Sequence, residues 1–140
     1  MTARRLTLTQ LRADTAGAVD IDTALPSPFA TWPWPRWSTS RPWAVGVAGD
    51  VPTVYGTTET ESAAAAAAVQ LYISWLAGSV VLDDLAKRRL DHLALIPVLA
   101  GRDLACRCAL DVPCHGDALL VLASGVSPLV LLEDLREVAA

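Results

Sequence analysis

Apolar and polar positions change period several times along this chain, and each change predicts an element. Val19 to Ile21 is a short β-prone stretch. It should end near Asp22, because Pro26 and Pro28 forbid a central strand beyond it. In Trp32-Pro33-Trp34-Pro35-Arg36-Trp37 the aromatics alternate with prolines, a pattern that predicts an extended, polyproline-like loop and prevents a helix. Trp43 to Ala48 and Thr53 to Tyr55 read as two strands of a hairpin, turned through Gly49-Asp50 and Pro52.

The period then becomes helical. Thr58 and Glu61 have the spacing of a capping box and predict a helix start. Alanines fill positions 63 to 68, and Val69, Tyr72 and Leu76 recur on one face towards a stop at Gly78. A second helix is predicted from about Val81 to Leu90, with Asp83 and Asp84 in its first turn and Lys87, Arg88 and Arg89 towards its end, as the helix dipole favours. Pro97 limits any continuation to a short turn. Leu104, Cys106 and Cys108 alternate with Ala105 and Arg107, so a strand over Arg102 to Cys108 would place both cysteines on one face. After a loop through Asp111, Val112 and Pro113, the run Cys114-His115-Gly116-Asp117 opens a helix that should stop near Gly125. Ser127-Pro128 forms the cap and first turn of a last helix through Val138.

These elements predict an α/β fold: a single small domain over residues 1–140 with a short sheet flanked by helices. Strands near Val19 and Leu104 should share the sheet, and the helices beginning near Glu59 and Asp117 should cover it, because their apolar faces need a common partner. Neither an internal repeat nor a linker divides the 140 residues, a length suited to one core. Apolar residues make up 53% and charged residues 19%, which excludes a wholly disordered chain. Eleven Lys and Arg against fifteen Asp and Glu give a net charge of -4, which disfavours duplex nucleic acid as a partner. The apolar stretches are broken well short of the roughly 20 residues that span a bilayer, so no membrane partner is expected. Arg4 and Arg5 are not followed by the apolar stretch of a secretory signal, and the expected compartment is the cytoplasm. The last helix carries Leu129, Val130, Leu131, Leu132, Leu135 and Val138, a stripe wider than one packing face needs, and a homodimer through it is expected.

Cys106, Cys108 and Cys114 are the only cysteines of the chain, and His115 adjoins the last of them. An odd, clustered count does not suit a disulfide scaffold. Three thiols and an imidazole within ten residues match the donors of a Cys3His zinc centre, zinc being the expected cofactor. Adjacent ligands at 114 and 115 would have to diverge from consecutive backbone positions; where only three bind, Asp117, water or substrate is left as the fourth. The same residues also suit an iron–sulfur cluster, a redox pair or a reactive thiol, with Cys114 as nucleophile and His115 as base at a helix start. Packing as small hydrophobes is the bland alternative. Two functions follow: a zinc-binding domain acting as a binding or accessory module, or a metal- or cysteine-dependent enzyme acting on a small ligand, such as a nucleotide-like one, under the Trp loop.

Gly101-Arg102-Asp103-Leu104-Ala105-Cys106-Arg107-Cys108 and Cys114-His115-Gly116-Asp117-Ala118-Leu119 resemble the signature G-[RK]-x-L-x-C-W-C-x5-C-H-[AG]-D-x-L of the family called domain of unknown function 4326. Gly17-Ala18-Val19 followed by Pro26-Ser27-Pro28-Phe29 is similar to that family's G-A-V-x-V-x-R-P-S-x-W-G-N-P-F. Leu71-Tyr72-Ile73-Ser74-Trp75-Leu76 is similar to its L-Y-x-x-W-L helix. Leu25 stands in place of the family's Arg, Ala30-Thr31 in place of Gly-Asn, and Arg107 in place of Trp. The resemblance supports the Cys/His site and implies no particular substrate.

Other residues receive plainer readings. His92 reads as a partly exposed surface or capping histidine. Trp32, Trp34, Trp37 and Trp43 read as a loop lid packed on the core, with Arg36 and Arg41 as solvated charges. Asp117 is expected either to cap its helix or to support His115.

Overall fold

Leu104, Ala105 and Cys106 form the strand around which the Cys/His segment is organised, and all three are fully buried. In the computed structural model, which describes residues 3–7, 18–33, 42–49, 52–108 and 110–139, this strand lies at the centre of a parallel sheet. Its neighbours are β1 (Arg5–Thr7) and β2 (Val19–Asp20). Val19 pairs with Leu104, so the strands expected near these residues do share one sheet, whereas β1 has no counterpart in that pattern. A central parallel strand is covered on both faces. The alternation at 104 to 108 therefore does not separate a buried face from an exposed one, and the strand ends at Cys106, two residues before Cys108.

Asp20 caps a single helical turn, α1 (Ile21–Ala24), by accepting from the Asp22 amide at 3.1 Å, so the chain coils where a strand to Asp22 is expected. A second, antiparallel sheet joins β3 (Ala30–Pro33), β4 (Trp43–Val47) and β5 (Thr53–Thr58). The predicted hairpin is the β4–β5 pair. Trp32 and Pro33 do not form a polyproline loop: they sit in β3 opposite Ala44 and Trp43. A proline is tolerated there because β3 is an edge strand. Trp34, Trp37, Arg36 and Arg41 lie outside the described residues.

α2 (Glu61–Ala77) is capped by Thr60, whose hydroxyl accepts from the Ala63 amide at 3.1 Å. The cap is thus two residues later than the Thr58 spacing suggests, and Thr58 instead donates to the Thr60 carbonyl at 2.7 Å. Gly78, at φ 85°, stops the helix in the left-handed conformation, as predicted. α2 lies chiefly against the antiparallel sheet and reaches the parallel one through Tyr72 and Trp75 in the shared core.

The next helix begins later and runs further than its pattern predicts. A 3-10 turn at Asp83–Leu85 leads into α3 (Ala86–Leu95), and a second 3-10 turn, Ile96–Leu99, carries Pro97. Lys87, Arg88 and Arg89 therefore occupy the first turn of α3, not its end. The partners of the two arginines are on other elements: Arg89 donates to the Trp75 and Leu76 carbonyls at the end of α2, both at 2.8 Å, and Arg88 donates to the Pro26 carbonyl, whereas Lys87 pairs with Asp91 of its own helix. A positive charge at the exposed carbonyl end of another helix is as favourable as at its own.

After β6, the Leu104–Cys106 strand, come α4 (His115–Ala123) and α5 (Pro128–Ala139). Ile21, Leu25, Tyr72, Trp75, Leu104 and Leu119 centre the core. A small cluster of Ile73, Ala118 and Leu132 adjoins it, and Leu131 packs against both. The molecule is a small α/β domain with two three-stranded sheets among the described residues, and no described helix is long and apolar enough to cross a membrane.

Candidate metal centre

Three long-range contacts fix the backbone that carries the cysteines. β6 delivers Cys106 to the core; immediately after it, the Arg107 amide donates to Asp22 Oδ2 at 2.6 Å. The turn that follows is held by Arg5 of β1, which donates to the Leu110 carbonyl at 2.6 Å and the Val112 carbonyl at 3.1 Å. The same guanidinium lies 3.0 Å from Asp117 Oδ1 and 3.8 Å from Cys106 Sγ, with its side chain only 6% exposed. Gly116 makes room for it: a Cβ there would stand 2.9 Å from Ile21 Cδ1 and 3.2 Å from Arg5 Cδ. Arg5 is a site residue that no spacing rule finds, because it acts from about a hundred positions away.

Cys114 is the N-cap of α4. Its sulfur accepts from the Gly116 amide at 3.4 Å, and its own amide donates to Asp117 Oδ2 at 3.2 Å, completing a capping box with sulfur in the usual place of a hydroxyl. Asp117 therefore caps the helix and pairs with Arg5. The support of His115 comes from elsewhere: its Nε2 lies 2.9 Å from the Leu25 carbonyl. A carbonyl can only accept, so Nε2 carries the proton and Nδ1 keeps its lone pair in the neutral ring. Nδ1 lies 3.7 Å from Cys114 Sγ.

The sulfurs of Cys106, Cys108 and Cys114 all lie within 4.8 Å of one another, and Cys106 and Cys114 are 3.3 Å apart. Four ligands around one zinc at the usual bond lengths would place sulfurs about 3.8 Å apart and sulfur about 3.6 Å from nitrogen. The three sulfurs thus fit a small tetrahedral ion, whereas His115, whose printed sulfur contact is with Cys114, is not among the donors that lie within 4.8 Å of one another. Cys106 and Cys114 are buried and Cys108 is half-buried, and none is in a disulfide.

Crowding couples the thiols. Hydrogen bonding with Cys108, together with burial, pushes Cys114 up to about 11; burial raises Cys106; and the hydrogen bond from Cys114 lowers Cys108. Acceptance from the Gly116 amide favours the Cys114 thiolate, but this contribution is outweighed. For Arg5, burial opposes the charge while Asp117 and the sulfurs favour it, and the net direction is upward.

Behind His115 lies a cluster of rings. Tyr72 stands edge-on to it at 5.2 Å between centroids, and the Tyr72 hydroxyl is 2.8 Å from His92 Nδ1. His92 is 3% exposed, so it is a core residue and not a surface or capping one. In front, a cleft of about 150 Å3 has Thr31, Ala65 and Ala68 in its walls and Cys108, Pro113, Cys114 and His115 at its floor.

A model of the family described as Domain of unknown function (DUF4326) matches residues 18–125. No curated protein and no solved structure matches the chain. The matched span starts at the lead into β2 and ends just past α4, so it contains every cysteine, His115 and the walls of the cleft; the chain belongs to the DUF4326 family.

Proposed function

We propose that this protein is a small metal-binding module in which one zinc ion is held by Cys106, Cys108, Cys114 and Nδ1 of His115. The observation that carries the reading is the convergence of three sulfurs within 4.8 Å from two separately anchored segments. The His115 geometry supports it, because a metal-bound histidine almost always donates its other ring N–H to a carbonyl or carboxylate, as His115 does to Leu25. Three thiolates and Zn2+ would leave one negative charge, and the Arg5 guanidinium beside Cys106 offsets it. Sulfurs this close suit a single ion better than an iron–sulfur cluster, whose thiolates attach to different irons. When bound, zinc would cross-link β6, the turn after it and α4, and its binding free energy would then be folding free energy.

The cleft favours a second reading, an enzyme that uses the face of this centre on a small ligand. Its described lining carries no charged side chain, so a phosphate-bearing ligand would lack a cationic partner there. The upward shift of Cys114 also runs against its use as a nucleophile.

The test is elemental analysis of protein purified without added metal. One zinc per chain is expected, and Cys106→Ser should lower metal content and melting temperature together. Metal-free wild-type protein that melts cooperatively, with a melting temperature unaffected by added zinc, rejects the reading.

A further inference from the structure

The three cysteines are not equally reachable. Cys106 is sealed in β6 at 0% exposure, while Cys108 is half-buried on the cleft floor, with Cys114 beside it. Zinc has no redox chemistry of its own, so at a zinc–thiolate centre the sulfurs are the oxidisable atoms. The cleft, about 150 Å3 with an uncharged described lining, accommodates a neutral molecule a few times the size of water, whose share of liquid volume is about 30 Å3.

We infer that this centre is an oxidative modification site, at which a small hydroperoxide entering the cleft joins Cys108 to Cys114 and discharges the metal. The inference rests on the metal-centre reading above. In the first step the Cys108 sulfur attacks the O–O bond; an S–O bond forms, the O–O bond breaks, and the departing oxygen takes a proton and leaves as water or an alcohol. Cys114 then attacks the Cys108 sulfur; the S–S bond forms, the S–O bond breaks, and hydroxide takes a proton to become water. Two thiolates lose two electrons and the hydroperoxide gains the same two. Zinc held there would keep its charge and be released, because the disulfide consumes two of its ligands.

Cys114 is the resolving residue because it comes from another segment and its sulfur lies within 4.8 Å of that of Cys108. Cys106 is two residues from Cys108 along a chain whose Arg107 amide is tied to Asp22. The Cys106 sulfur also lies within 4.8 Å of that of Cys108, but Cys106 is sealed at 0% exposure and does not line the cleft, whereas Cys114 lines it together with Cys108.

Zinc-loaded protein treated with equimolar hydrogen peroxide tests this, with released zinc read by a chromogenic chelator and disulfides mapped by mass spectrometry of unreduced peptides. One zinc should be released per Cys108–Cys114 disulfide, and a dithiol with added zinc should restore both. Cys108→Ser should slow peroxide-driven zinc release at least tenfold. Retention of zinc and free thiols at peroxide levels that oxidise a cysteine peptide overturns the inference while leaving the metal centre standing, as does a disulfide mapped to Cys106 and Cys114. If reduced protein holds no zinc yet forms the Cys108–Cys114 disulfide, the modification site is upheld and the metal reading fails. Should Cys108→Ser not fold, the wild-type disulfide map decides alone.

Discussion

His92 shows how one buried side chain couples this fold to pH. The Tyr72 hydroxyl has its described partner in His92 Nδ1. The hydroxyl and the neutral ring share one hydrogen bond at 2.8 Å. Burial, reinforced by Arg88 and by His115, lowers His92 to about 4, and burial raises the Tyr72 phenol. The unfolded chain takes up a proton below about pH 6.5, whereas the folded chain takes it up only near 4. Stability therefore falls as pH drops through that window, by up to about 1.4 kcal/mol per pH unit, with no further loss from this group below it. His92→Asn keeps an acceptor for Tyr72 but does not titrate. Chemical denaturation at several pH values should show the wild type losing stability more steeply than this variant between pH 6.5 and 4. Metal loss in acid affects both proteins, so the difference isolates His92; a difference that does not vary with pH would refute the assignment.

Among the elements, α2 shows that spacing locates a helix better than it locates the cap. Thr58 and Glu61 satisfy the capping-box pattern, but Thr60 has the extended backbone of a cap, at φ -125° and ψ 153°, and its hydroxyl meets the Ala63 amide. Thr60→Ala should cost about 1 kcal/mol. Thr58→Ala, which removes a bond to a carbonyl in an exposed turn, should cost less than half as much. Urea midpoints for the two variants compare them directly, and equal or reversed losses would move the cap back to Thr58. α3 carries a similar lesson. Its arginines fit a helix ending near Leu90 by the dipole rule, yet they cap the end of α2 and hold Pro26. The helix then continues to Leu95, which places His92 one turn before the buried Ile96, on the core side.

At the scale of the whole molecule, α5 divides its apolar stripe. Leu132 is buried against α2 and α4, while Leu129 and Val130 are 53% and 48% exposed. The expectation of a homodimer through this helix predicts a light-scattering mass about twice 14.8 kDa, reduced to one chain by Leu129→Glu without loss of helical signal. A wild-type mass of one chain at all concentrations would discard it. Local rules acting within a few residues were legible in the sequence: the β4–β5 hairpin, the Gly78 stop, the Ser127-Pro128 start, and the cysteines Cys106, Cys108 and Cys114 gathered around one strand end and one helix start. Periodicity and capping chemistry report such features because their causes are short-range. Pairing β1 beside β6, bringing Arg5 under the 110–112 turn, orienting His115 through the Leu25 carbonyl and burying His92 beneath Tyr72 were decided by the tertiary structure alone. Each depends on groups 20 to 107 positions apart, and their meeting is set by which faces the core can close over, a quantity no local window contains.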